Sequence, residues 1–105
     1  MTTLAEALKD LLGSNFPVES GSAKRDDPLV ITTTQDYFSV EYTVARALLG
    51  PEVYEMEAQH LHHLEGRVID ELVFACKPQG APDWTRTRRF FFDITAGWNA
   101  KKRGG

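Results

Sequence analysis

The stretch VYEMEAQHLHHLEGRVIDELVFACK, residues 53–77, decides the fold. Its first half alternates apolar and polar side chains, as a strand does when its two faces meet different surroundings. Glu65-Gly66 follows as a turn dipeptide, because glycine adopts positive φ at low cost. Residues 68–76 then place apolar groups at both parities, which is typical of a strand covered on both faces. The sequence therefore predicts a long antiparallel hairpin.

A single long helix is the competing interpretation of this stretch. Apolar residues three or four positions apart would form the stripe of an amphipathic helix. They are Leu61, Leu64, Val68, Leu72 and Ala75. Such a helix would carry Gly66 in mid-span, at a cost of about 0.5–1 kcal/mol relative to alanine. The β-branched and aromatic residues of 68–74 favour a strand, so we prefer the hairpin.

The length and composition are typical of one globular domain covering residues 1–105. Apolar residues make up 42% of the chain and charged residues 26%. No apolar run reaches the roughly 18–20 residues that span a bilayer, and the N-terminus lacks the pattern of a signal peptide. The single cysteine, Cys76, excludes an internal disulfide and lies in an apolar strand, so we expect a buried thiol. These features predict a cytoplasmic protein without membrane contact.

The charge is distributed unevenly along the chain. Residues 86–105 hold six basic groups and one acid, a net +5, whereas residues 1–85 carry a net −8 of the total −3. Arg86, Arg88 and Arg89 precede three consecutive phenylalanines, a mixture that also occurs in nucleic-acid-binding surfaces. Three consecutive residues cannot all face one platform, and the acidic remainder repels phosphate. We therefore expect ion pairs within the protein and no nucleic-acid binding.

The chain begins with a predicted helix over residues 1–13. Thr3 and Glu6 have the spacing of a capping box, four leucines form one apolar stripe, and Gly13 is suited to end the helix. Residues 14–28 are rich in Ser, Gly, Pro and charge, and are predicted to be a linker. Residues 99–105 are predicted to be a flexible tail.

The antiparallel sheet is predicted over residues 29–98. Besides the hairpin, its strands would cover residues 29–34, 37–45 and 85–95. Residues 34–49 also fit a helix that ends at Gly50-Pro51, and this alternative stays open. The resulting fold class is α+β, with the N-terminal helix packed on a curled antiparallel β-meander of about five strands.

In the order of its elements, such a curled sheet around one helix resembles the cystatin-like and NTF2-like cone folds. The resemblance implies a pocket between helix and sheet for a small-molecule ligand. The candidate lining residues are polar or aromatic, and they are Tyr42, His60, His62, Asp70 and Trp98.

The hairpin carries the only histidine cluster of the sequence, and a metal site there would need Glu57 or Asp70 as a further ligand. His60 and His62 share a face of the strand, and His63 points the other way. Two imidazoles do not complete a zinc site, so we predict no metal and no cofactor. Asp70 and Glu71 interrupt an apolar strand, and an unpaired buried charge is costly. We expect one of them to pair with Arg67, Arg86 or Arg88, although a carboxyl group with a raised pKa near the histidines could act as a general base.

The sequence carries no catalytic or ligand motif and is compatible with an enzyme or a binding module. The two-sided apolar character of the hairpin exceeds what one short helix can cover, which favours a homodimer. The first hypothesis is a small soluble self-associating domain that acts as a binding or interaction module. The alternative is a cone-shaped domain that binds or converts a small ligand.

Overall fold

The computed structural model describes residues 2–103, which form one α+β unit. The helices are α1 (Leu4–Leu12), α2 (Tyr37–Leu49) and α3 (Thr95–Arg103). The strands are β1 (Leu29–Val30), β2 (Val53–Leu64), β3 (Arg67–Lys77) and β4 (Arg86–Asp93). None of the helices within these residues has the length and apolar character that crossing a membrane requires.

The predicted hairpin is confirmed as β2 and β3. The two strands pair antiparallel from Val53 opposite Lys77 to Leu64 opposite Arg67, with one irregularity after Met56. Gly66 closes the turn at φ +69°, a backbone conformation that glycine adopts without strain. The alternation of side chains and the turn at Gly66 therefore predicted correctly that residues 53–77 form a hairpin and not a helix.

The prediction of a five-strand antiparallel meander is wrong. The described residues form a four-stranded mixed sheet in the order β1-β4-β3-β2. β1 is only two residues long and runs parallel to β4, with Leu29 opposite Phe92. Beyond it, Ile31 bridges to Val18, so the linker segment folds back on the chain after β1. This contact takes the place of the longer strand expected over residues 29–34.

The strand predicted over residues 37–45 is also wrong, because this segment is helix α2. The alternating residues from Phe38 to Val44 suit a strand, but the buried ones follow helical spacing. They are Tyr37, Glu41, Val44, Ala45 and Leu49. Gly50 ends the helix, and its N–H donates to the carbonyl of Arg46. The helical alternative was therefore the correct one.

The N-terminal helix is confirmed as α1, where the Thr3 side chain accepts a hydrogen bond from the Glu6 N–H at 3.1 Å. The C-terminal prediction needs correction. Gly97 and Trp98 lie in α3 and not in the sheet, and the segment 99–103 is helical and not a tail. Met1, Gly104 and Gly105 lie outside the described residues.

The helices pack with one face of the sheet, which we call the core face. On β3 it carries Val68, Leu72, Phe74 and Cys76, and these join residues of α1 and α2 in the buried cluster. Ala23, in the segment predicted to be a linker, and Trp98 of α3 also pack there. The opposite face, which we call the open face, carries the alternate residues of the same strands, so the sheet has two different surroundings.

Candidate functional site

The open face is an apolar floor beneath long polar side chains. On β3 its residues are Ile69, Glu71, Val73 and Ala75, all of them buried. The register places His62 opposite Ile69 and His60 opposite Glu71 on β2, and Phe91 opposite Glu71 on β4. Because directly opposite residues share a face, these side chains form one surface.

Glu71 organises the polar layer of the open face. Its Oε1 lies 2.8 Å from His62 Nε2, and its Oε2 accepts from Arg89 Nη1 at 2.7 Å. Burial alone would raise the pKa of Glu71, but the hydrogen bonds from His62 and Arg89 outweigh burial and lower the pKa. Glu71 is therefore an ionised acceptor at neutral pH, and it holds the His62 ring in place.

The ion-pair partners differ from those expected. Glu71 pairs with Arg89 instead of Arg67, Arg86 or Arg88. Those three arginines pair with other acids: Arg67 with Asp93 at 3.0 Å, and both Arg86 and Arg88 with Glu52 at 2.6 and 3.6 Å. The basic strand β4 is thus neutralised by acids of the same chain.

A cleft of about 240 Å³ opens on the open face. Its lining residues are Arg25, His62, Leu64, Ile69 and Phe91. The Arg25 guanidinium lies 5.4 Å from the centre of the Phe91 ring, a cation–π contact. The cleft therefore combines an apolar floor with a cationic wall next to the free edge of the sheet.

The core face holds a second unusual group, an acid pair between α2 and β3. Glu41 and Asp70 are both fully buried. Gln59 Nε2 donates to Asp70 Oδ2 at 2.8 Å. Treated as ionised acceptors, both carboxyl oxygens of Glu41 and Oδ1 of Asp70 meet no donor among the described residues, and the buried Tyr37 hydroxyl meets no partner there either. A proton on Glu41 allows its carboxyl group to donate a hydrogen bond to Asp70.

Glu41 is a neutral carboxylic acid at neutral pH. Burial, followed by a hydrogen bond with the Asp70 carboxyl group and by the negative charge there, raises the pKa of Glu41 to about 10. The pKa of the Tyr37 hydroxyl is raised as well, by burial and by the two acids. A neutral acid beside a second carboxyl group is an arrangement that can hold or move a proton.

The outer edge of β2 is the third notable feature. β2 has twelve residues and, within residues 2–103, pairs only with β3. Its outer side therefore presents a row of backbone groups without strand partners. Leu61 and Leu64 on this strand are 44% and 57% exposed. The opposite edge of the sheet, β1, is only two residues long.

The structure places the five predicted pocket residues on two sides of the sheet. Asp70 is on the core face, where Tyr42 contacts Met56 and Trp98 packs on His63 with ring centres 5.5 Å apart. His60 and His62 are on the open face. Tyr42, Asp70 and Trp98 therefore do not share a cleft with the two histidines.

Sequence reasoning missed Glu41 and Tyr37. In a strand, Glu41 would point away from Val40 and Tyr42 and toward water. In a helix, Glu41 lies one turn after Tyr37 and one turn before Val44 and Ala45, on the buried side. The helical period of this segment was the signal that could have identified it.

The candidate site comprises the open face, the outer edge of β2 and the acid pair of the core face. The two histidines, Glu71 and the free edge of β2 lie together, and the acid pair lies behind them across the sheet. Comparison with protein-family models, with curated proteins and with solved structures finds no match to this chain.

Proposed function

We propose that this chain is a self-associating interaction domain in which β2 pairs with β2 of a second copy. The unpartnered outer edge of this twelve-residue strand carries the proposal. An exposed edge strand is a template for another strand, because its backbone N–H and C=O groups are already extended.

The two halves of β2 differ in how they are protected. The first half carries Glu55 and Glu57, together with the irregularity between Met56 and Ala58. Charges and bulges of this kind discourage edge pairing. Residues 58–64, AQHLHHL, contain no proline and no Asp, Glu, Lys or Arg. We call residues 58–64 the pairing segment, because it lacks these protective features.

The pairing segment is self-complementary when two copies run antiparallel about Leu61. Leu61 then faces Leu61 of the second copy, and Ala58 faces Leu64. Gln59 faces His63, and His60 faces His62. Apolar residues meet apolar residues and polar residues meet polar ones, as stable cross-strand pairs require. The two most exposed apolar side chains of β2 become covered in this register.

The proposed interface is small, because it consists mainly of one strand from each copy. We therefore expect a dissociation constant in the micromolar range, about −8 kcal/mol. The twofold axis perpendicular to the sheet keeps both open faces on the same side, so two separate sheets become one.

Sedimentation equilibrium of the wild type and the Leu61→Lys variant tests this function. The wild type should form dimers at concentrations above the micromolar range. Leu61→Lys should remain monomeric up to roughly 1 mM, because it places like charges directly opposite each other. Leu11→Lys, at an exposed leucine of α1, is the matched control and should dimerise like the wild type. Circular dichroism checks that both variants fold. A wild type that stays monomeric, or a Leu61→Lys variant that dimerises equally well, refutes the proposal.

A second candidate function is proton transfer to a small ligand by Glu41 and Asp70. The buried pair of adjacent carboxyl groups, in which Glu41 holds a proton at neutral pH, favours it. Tyr37, next to this pair, borders a cleft of about 470 Å³ between the start of α2 and the end of α3. This function requires a neutral Glu41 carboxyl group, and the free energy of unfolding of a Glu41→Gln variant as a function of pH tests for it.

A further inference from the structure

We infer a binding site for a divalent transition-metal ion at the twofold axis of the dimer, formed by His60 and His62 of both copies. The inference rests on the proposed function, because one chain supplies only half of the site. Zn²⁺ is the representative ion, since imidazole nitrogen is among its preferred ligands.

Within one chain the two histidines form half a site. His60 and His62 are two positions apart on β2 and share the open face, with ring centres 6.4 Å apart. Both rings are accessible to solvent. Among residues 2–103 no group of three or more potential ligands converges in a single chain. Because structural zinc sites use four protein ligands, one copy alone is insufficient.

The antiparallel register about Leu61 doubles the ligand set. It places His60 opposite His62 of the second copy, and His62 opposite His60. Directly opposite residues have Cβ atoms about 4.5–5.5 Å apart, and diagonal neighbours about 7–8 Å. Four imidazoles thus surround one point on the open face, which is the number that tetrahedral zinc requires.

Glu71 already provides the supporting contact that such a site needs. Metal-binding histidines commonly donate their second ring N–H to a carboxylate, which fixes the ring and its tautomer. Glu71 Oε1 lies 2.8 Å from His62 Nε2, and Arg89 Nη1 holds the other carboxyl oxygen at 2.7 Å, so Glu71 is positioned to accept from the Nε2–H tautomer of His62. In the neutral ring the lone pair is then on Nδ1, which is the nitrogen free to bind the metal.

His63 offers a matched control within the same strand. It lies opposite Val68 on the core face, and its ring packs against Trp98. The proposed site therefore uses two of the three neighbouring histidines and excludes the third by the alternation of the strand.

The test combines sedimentation equilibrium with equilibrium dialysis against ZnCl₂ for the wild type, the His60→Ala/His62→Ala double variant and His63→Ala. The wild type should bind one zinc per two chains. Its dimer dissociation constant should fall about 100-fold when free zinc is about 100 times its dissociation constant for the site. His63→Ala should behave like the wild type. The double variant should bind no zinc at this site, and zinc should not change its dimer dissociation constant. Co²⁺ in place of Zn²⁺ should give the intense visible absorption of a tetrahedral site.

The outcomes separate this inference from the proposed function. A dimer that takes up no zinc overturns the metal site and leaves the strand pairing intact. A chain that is monomeric with and without zinc overturns both. One zinc bound per chain, or binding that persists in the double variant, overturns the metal site, because either result removes the need for the twofold axis.

Discussion

Asp70 and Glu71 are neighbours in β3, yet the pleat of the strand places them in opposite surroundings. Both are buried, at 0% and 3% exposure. On the open face, Glu71 meets the cationic donor Arg89 and the ring of His62. On the core face, Asp70 lies beside a second acid, Glu41, whose pKa it helps to raise.

The comparison shows two physical solutions to the same problem. A buried charge is costly unless it is paired, and a group without a cation takes up a proton instead. The open face pairs Glu71 and lowers its pKa, whereas the core face protonates Glu41 and raises its pKa to about 10. The two faces should therefore respond to pH in opposite directions.

The largest expected effect is a gain in stability from Glu41→Gln. Unfolded Glu41 ionises near 4.5 and folded Glu41 near 10, so its contribution to stability is complete at low pH and is lost as pH rises between these values. Each pH unit in this window costs up to ~1.4 kcal/mol, or roughly 3 kcal/mol in total by neutral pH. Gln keeps the shape without the ionisation, so the free energy of unfolding should rise by about 2–3 kcal/mol at neutral pH and by less at about pH 5.

Urea denaturation followed by circular dichroism at several pH values measures this gain. Glu57→Gln, at an exposed position of β2, is the control and should change stability by less than about 0.5 kcal/mol. A Glu41→Gln variant that gains nothing at alkaline pH would show that Glu41 is not held neutral. A gain would also support the second candidate function, because functional sites commonly lower stability.

The next largest effect should come from breaking the pairing on the open face. Arg89→Met removes the guanidinium and leaves the carboxylate of Glu71 with His62 alone, which should cost about 1–3 kcal/mol at neutral pH. The pKa of Glu71 is lowered, so the contribution of this pairing is present above its ordinary range and is lost as pH falls through the lowered value. The cost of Arg89→Met should accordingly shrink in acid.

Arg86→Met is the matched control for this prediction. Arg86 lies on the same strand, but its ion pair with Glu52 is more exposed to solvent. An exposed pair contributes about 0–1 kcal/mol, so this variant should lose less stability than Arg89→Met. Equal losses in the two variants would mean that burial of Glu71 does not determine the result. Thermal unfolding at neutral and acidic pH provides the measurement.

The sequence was sufficient to predict the hairpin and α1, because each carries a local signal. Alternation and Gly66 indicate β2 and β3, and the Thr3 side chain with its bond to the Glu6 N–H marks the start of α1. The strand predicted over residues 37–45 was wrong because the apolar residues of this segment fit both the strand period of two and the helical period of 3.6. Only packing against the sheet decides which period prevails.

The candidate site could be predicted only in part. The shared face of His60 and His62 follows from the strand period, and the opposite orientation of His63 does too. The acid pair does not follow, because Glu41 and Asp70 are 29 positions apart and meet only when α2 lies on the core face. Contacts between distant segments depend on topology, and here the predicted topology was a meander.

The smallest expected effect tests the difference between the two faces most directly, because it replaces the carboxyl group of each of two adjacent residues by an amide. Asp70→Asn keeps an oxygen that can accept from Gln59 and removes the acid beside Glu41, so stability at neutral pH should rise by about 1 kcal/mol. Glu71→Gln removes the charge that Arg89 pairs with, so stability should fall by about 1 kcal/mol. Chemical denaturation of both variants in one buffer measures the two signs. Changes of the same sign would show that the two faces do not treat buried carboxyl groups differently, because the substitutions differ mainly in the face on which they occur.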